Sequence, residues 1–502
     1  MKAKPSLLAN IDLATSASLV TTTSLDHLPL LISDRCLENA AGQLVSYAKA
    51  SLAAGSPIIS ETITMPRKGF GPRPVTLTTA ASRTLYGALV KNLEDDLPES
   101  SRGGAKYNQY QAFGLDGQQD YVAEIDIASC YEYIDHAYLR DELLLRSMKV
   151  DTCEATVAFL QELFGRPRGL PQMQYPSDRL ADAYLSVLER RLVRDGRSVF
   201  RYADDIRVCA EGWSQANQII EDAAEYAREL GLILSSQKTA IYKKATLISR
   251  QQADANFLNA NLRNARRALT KIIRVAVGGG IYEGPEWEEE EIEPGAVEAL
   301  HAACWKILHD WWSKAQKSEP ETQVNNPIQG PLLTALIVCM NYDERLDDRL
   351  LRDFVFHNPQ RLEHVCRYVA SRAERSSEDH WSTLRSLINM GRQSPWAKLW
   401  FLDTIEKLNA KVGDIPLEIS EWVSLQLSDR HEVVRAHASW IRAIDSKLTS
   451  SELGSLYRKA SPMTQPALSA AAARQVNMAR EIRNAIEDDN PLNREAAAWA
   501  QP

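Results

Sequence analysis

The stretch "RYADDIRVCA", residues 201–210, sets two adjacent carboxylates, Asp204 and Asp205, between two short apolar runs. Like charges side by side repel, and each carboxylate is costly to hold beside a core. "SVFRY" (198–202) and "IRVCA" (206–210) flank the pair, so the pattern predicts a strand, a turn and a strand. The acids then sit at the tip, where solvent and ions reach them. A divalent cation between them would remove the repulsion. Mg²⁺ and Mn²⁺ suit such a place, because hard ions prefer carboxylate and phosphate oxygens. Taken alone, Tyr202-Ala203-Asp204-Asp205 reads equally well as a solvated turn.

Other segments bear on the choice. In "YVAEIDIASCYEYI" (121–134), Val122, Ile125 and Ile127 read as a buried strand, and Asp126 lies within it. A charge belongs in such a strand only if it binds something. Tyr131 follows five positions on. In "GLPQMQYPSDRLADAYLSVLERRL" (169–192) a Gly-Leu-Pro-Gln loop with Gln172 leads into an amphipathic helix, with Leu180, Tyr184, Leu188 and Leu192 on one face. After the aspartate pair comes a helical segment, "WSQANQIIEDAAEYAREL", then "GLILSSQKTAIY" (231–242) with Lys238. Upstream, "PRKGFGPRPVTL" (66–77) carries Lys68 and Arg73, cations suited to a phosphate chain.

The chain has 502 residues, 44% apolar and 25% charged, with a net charge of −8. Neither half is basic, which argues against a protein that grips long duplex mainly through phosphates. No apolar run is long enough to span a membrane, and Asp12 interrupts the apolar start too early for an export signal. The seven cysteines are scattered and never form CxxC. That fits a reducing cytoplasm and excludes a zinc site of the usual spacing. The organisation changes near residue 280. Residues 1–250 alternate short apolar runs with helical stretches, an α+β pattern. Residues 251–295 read as a basic helix (Arg263, Arg266, Arg267, Lys271, Arg274) and then the acidic linker "VGGGIYEGPEWEEEEIEPG". Residues 296–502 read as all-α. There "SDRHEVVRAHASW" (428–440) and "EDDNPLNREAAAWA" (487–500) share a HEAT-like order of acid, Arg, Ala and Trp.

The ordered set of Asp126 with Tyr131, Gly169-Leu170-Pro171-Gln172, the Tyr-Ala-Asp-Asp box, and Gly231-Leu232 with Lys238 resembles the palm of reverse transcriptases. The segments around Lys68, Arg73 and Arg83 resemble its fingers. The resemblance implies a fingers-and-palm fold and two-metal nucleotidyl transfer. Asp126, Asp204 and Asp205 would be the catalytic, metal-holding acids. Lys68 and Arg73 would face the triphosphate, Gln172 would line the incoming nucleotide, and Tyr131 would exclude a 2′-hydroxyl. Lys238 would protonate pyrophosphate.

The chain departs from the templated members, which commonly have Gly after Gly-Leu-Pro-Gln. Here that residue is Met173. A palm followed by a HEAT-like helical region resembles the abortive-infection (AbiK-like) reverse transcriptases, closest in layout to the form carried on P2-type prophages. That likeness implies antiphage defence in bacterial cytoplasm, homo-oligomers, and untemplated synthesis from dNTPs. It also implies that the DNA product is attached to a protein hydroxyl. Tyr47 is the primer this likeness favours, with Tyr107 and Tyr110 as alternatives. A templated reverse transcriptase of a retron or mobile intron, and an inactive palm serving as a scaffold, remain the competing readings.

Overall fold

The structure, a computed structural model, describes residues 5–67, 71–269, 271–278, 286–292, 294–316, 329–342, 345–372, 379–391 and 393–501. Its strands, in chain order, are β1 Ser60–Met65, β2 Arg73–Thr78, β3 Tyr121–Asp126, β4 Val199–Tyr202, β5 Asp205–Ala210, β6 Ala240–Lys243, β7 Lys271–Gly278 and β8 Glu286–Ile292. β1 and β2 form an antiparallel pair in which Met65 faces Arg73. β4, β5, β3 and β6 make a four-stranded antiparallel sheet in that spatial order.

β3 lies inside this sheet, and its Val122, Ala123 and Ile125 are buried. Helix Trp213–Glu229 covers β3 and β5 with Ala216, Ile219, Ala223 and Ala227, spaced by three and four residues along one face. The alanines let the helix lie close to the strands. Helix Tyr175–Arg194 buries Leu180, Tyr184, Leu188 and Leu192, the face expected from their spacing. With Tyr86 and Leu89 of helix Ala80–Leu93, these side chains make one continuous core. No helix among the described residues is long and apolar enough to cross a membrane.

Two compact units divide the described residues. One takes those up to 67, those from 71 to 245 and those from 393 on; the other takes those from 246 to 391. The all-α region is therefore not one piece, as the expected boundary at 296 had it. The physical reason is a set of contacts made far along the chain. Helix Glu432–Ile444 has no side-chain cap of its own. Glu61 of β1 supplies one: its Oε1 accepts from the Glu432 N–H at 3.0 Å and its Oε2 from the Val433 N–H at 3.2 Å. A carboxylate there satisfies two orphan donors and sits at the positive end of the helix dipole. Trp440 and Trp499, from the two HEAT-like segments, lie 5.3 Å apart between ring centroids. Trp499 donates to Glu38 at 2.7 Å, and Trp440 to Glu406, which also pairs with Arg35.

The second unit buries Cys304, Leu308, Leu336, Phe354 and Leu384, all on helices. Here the structure corrects the expected basic helix and linker. The helix runs Lys244–Leu269, with Arg263, Arg266 and Arg267 exposed on it. Lys271 and Arg274 lie instead on β7, which pairs with β8 so that Arg274 opposes Glu289. Ile272, Ile273 and Val275 are β-branched, a residue type that favours a strand over a helix.

Glu61→Ala should lower the melting temperature by about 2–4 °C, the loss of roughly one cap. Glu61→Gln, which keeps an acceptor, should recover part of it; differential scanning fluorimetry reads both.

Candidate active site

Tyr202 and Asp205 are cross-strand partners at the end of the β4–β5 hairpin, which leaves Ala203 and Asp204 as a two-residue loop. Ala203 is left-handed, with φ +54°. That conformation costs a residue with a Cβ roughly 1–2 kcal/mol. A buried polar network holds it. The Ala203 N–H donates to Ser101 Oγ at 3.0 Å, and the Ala203 carbonyl accepts from Arg201 Nη1 at 2.9 Å. The same guanidinium donates to Asp182 Oδ1 at 2.8 Å, and its Nε to Glu189 at 3.0 Å. Ser101 in turn donates to Asp182. Arg201, Asp182 and Ser101 are all buried.

Asp126 ends β3 directly opposite Asp205. The two carboxylates are cross-strand neighbours, an arrangement that like charges disfavour. Burial pushes the Asp205 carboxyl up to about 7, with the negative charges of Asp204 and Asp126 adding to it. Lys238, in the turn before β6, reaches Asp126 Oδ1 at 2.6 Å. Its side chain is 59% exposed, so the ammonium can leave without unpacking anything.

Tyr131 lies on the single turn Cys130–Tyr133 that follows β3. Its phenol donates to Asp178 and accepts from Arg102 Nη2 at 2.6 Å. Burial and the charge of Asp178 push the phenol far above its usual range, so it stays neutral. The backbone after Tyr131 holds the Gly-Leu-Pro-Gln loop: the Leu170 N–H donates to the Tyr131 carbonyl at 2.7 Å, and the Gly169 N–H to Ile134 at 2.9 Å. Gly169 has φ +113°, which a Cβ would strain. Gln172 is half-buried in this loop, and Met173 beside it is left-handed, with φ +64°.

Residues 65–262 match the family described as reverse transcriptase (RNA-dependent DNA polymerase). A reverse transcriptase domain is present. Among solved structures, telomerase from Candida albicans in complex with a fragment of telomeric RNA is similar at 10% identity and a TM-score of 0.29. The likeness covers 76% of this chain and 68% of that one. No curated protein matches the sequence.

Within the reverse transcriptase domain, Asp126, Asp204, Asp205, Lys238, Tyr131 and the Gln172 loop come together. Arg73 joins them from β2: its Nη1 approaches Met173 Sδ at 4.0 Å, and it feels the charge of Asp204 while burial lowers its pKa. Lys68 lies outside the described residues. Arg83 is not free for a ligand, since it forms a buried pair with Asp34. Tyr47 is placed elsewhere. Its phenol accepts from Asn490 at 3.4 Å, and it lines a cavity of about 260 Å³ with Phe159 and Pro462. Tyr107, by contrast, packs edge-on against Tyr202 with centroids 5.2 Å apart and is 46% exposed. Tyr110 is buried under the Arg207 guanidinium, 4.5 Å from its ring.

Ser101, Arg102, Asp178, Asp182 and Arg201 escaped the sequence reading. One signal was available. Asp178 and Asp182 are four residues apart in helix Tyr175–Arg194, next to its apolar face, and a polar pair so placed calls for buried partners.

The donor chemistry fits a hard divalent cation: Asp126 and Asp205 are cross-strand partners, Asp204 lies in the adjoining turn, and Asp205 is held against its charge. They are not a finished cage, since among the described residues no three such groups are already arranged to hold a metal. Lys238 supplies the positive charge at Asp126.

Because the folded protein holds the Asp205 proton more tightly than the unfolded chain, this residue favours folding at low pH. That contribution is lost as pH rises toward and through about 7. In EDTA, Asp205→Asn should therefore melt higher than wild type at pH 8, by a few degrees, and the difference should shrink toward about pH 4. A wild type that is the more stable at pH 8 would refute the repulsion.

Proposed function

We propose that this chain is a DNA polymerase of the reverse-transcriptase type, acting in antiphage defence and extending a protein hydroxyl with dNTPs without a template. The polymerase part rests on one observation above the others: Asp126 and Asp205 face each other across two strands, with Asp204 in the adjoining turn. In the reaction, a hydroxyl oxygen bonds to the α-phosphorus of a dNTP while the bond to the bridging oxygen breaks. The hydroxyl loses its proton, and pyrophosphate leaves. Divalent cations, when bound, stabilise the attacking and leaving oxygens. Asp126 and Asp204 would hold them, with Asp205 supporting. Lys238, exposed beside Asp126, would give its proton to the pyrophosphate. Arg73 would pair with phosphate oxygens, and Gln172 would line the base.

Met173 supports untemplated synthesis. A side chain stands at a left-handed position where glycine is the easy choice, in the loop beside the nucleotide. For the primer, the surroundings of Tyr107 support it over Tyr47, because its exposed ring packs on Tyr202 of the hairpin that carries the acids. The defence role rests on the resemblance of layout alone.

Incubating the purified protein with each labelled dNTP, without nucleic acid, tests the reading. Label should stay on the denatured protein, and peptide mass spectrometry should find it on Tyr107. Incorporation only on added RNA template would favour the retron-like alternative.

Asp126→Ala and Asp204→Ala should each abolish incorporation without changing the circular dichroism spectrum. Synthesis retained in both would exclude this palm as the active centre. Tyr131→Ala should admit ribonucleotides, whereas Tyr131→Phe, which keeps the ring, should not. Competition between dATP and ATP measures the selection.

A further inference from the structure

The Gln172 loop is tied to the C-terminal helices through the N-terminal segment. Trp396 and Trp400 lie one turn apart on helix Pro395–Val412, both almost fully buried. Their indole N–H groups converge on one acceptor, donating to the His27 carbonyl at 2.6 and 3.0 Å. The next link is the neighbouring residue: the Asp26 N–H donates to the Met173 carbonyl at 3.2 Å. Both ends of this tether are left-handed residues with a Cβ, His27 at φ +59° and Met173 at φ +64°. Such conformations persist only where surrounding bonds over-determine them. Packing does not do so on one side of the loop. Leu25, Asp26, Met173 and Tyr175 border a cavity of about 430 Å³. The hydrogen bonds therefore carry what filled space would otherwise carry.

We propose that Trp396 and Trp400 are positioning residues for the nucleotide loop. Through His27 and Asp26 they hold Met173, and with it Gln172, in the conformation that receives the incoming nucleotide. The proposal rests on the polymerase reading for the identity of the ligand. The tether touches the loop, whereas the hairpin that carries Asp204 and Asp205 is held at the Ala203 backbone by Arg201 and Ser101. Loosening the tether should therefore weaken nucleotide binding and leave the chemical step intact.

The test replaces both indoles with rings that lack the donor, Trp396→Phe/Trp400→Phe, in the full chain. Hydrogen exchange should speed up in peptides covering 23–31 and also in those covering 169–176. The KM for dNTP should rise about tenfold, with kcat within about twofold of wild type. Trp440→Phe, which removes a donor from the same helical region without touching residues 23–31, should lower the melting temperature and leave the loop's exchange and KM alone. Faster exchange confined to 23–31, or an unchanged KM, overturns the proposal. If the double variant does not fold, Trp400→Phe, which keeps the shorter bond, is judged by the same two readouts. If the wild type incorporates no dNTP, the polymerase reading fails, and exchange at 169–176 still decides the tether.

Discussion

A single buried guanidinium sets the geometry on which the rest depends. Arg201 bonds to the carbonyl of Ala203, and Asp182 bonds to Arg201. Ser101 completes the ring by accepting from the Ala203 N–H. Without these bonds a left-handed alanine has no reason to persist, and the hairpin would relax to a turn that aims Asp204 and Asp205 elsewhere. The network is costly in itself, because a buried ion pair repays its desolvation only when every lone pair and proton is used. Here the carboxylate of Asp182 accepts from Ser101 and Arg201, and the remaining edge of the guanidinium reaches Glu189. The protein spends that stability on fixing two acids that repel each other and a third, Asp126, across the sheet.

The same logic operates at larger scale. The β1–β2 pair is small, and an isolated hairpin is at best marginal in water. It gains support from helices that arrive more than three hundred residues later in the chain. Glu61 caps one of them, and Trp396, Trp400, Trp440 and Trp499 place indole donors on acceptors around residues 27–38 and on Glu406. The C-terminal helices are thus part of the scaffold that reaches the Gln172 loop through residues 26 and 27. This explains why residues from 393 on belong to the same compact unit as the palm, while those from 246 to 391 make up the other unit.

Much of the site was legible because its chemistry is local. Asp204 and Asp205 sit in a turn bounded by apolar strands, and Asp126 stands at the end of a buried one. Each is conspicuous as a charge in a costly place. The amphipathic face of Leu180, Tyr184, Leu188 and Leu192 announces its helix through spacing alone. The partners were not legible, because hydrogen bonding to Ser101 or capping by Glu61 leaves no periodicity in the chain. The likeness to the abortive-infection enzymes points to Tyr47, and nothing in the chain near Tyr107 signals that its ring packs on Tyr202. By itself, then, the sequence determined the strands and helices of the palm and which acids stand at their ends, since these follow from patterns within a few residues. The tertiary structure decided what holds those acids, which tyrosine lies beside them, and which helices the fingers lean on. Those outcomes depend on pairings between residues tens to hundreds of positions apart, whose cost and gain are settled only when the chain closes on itself.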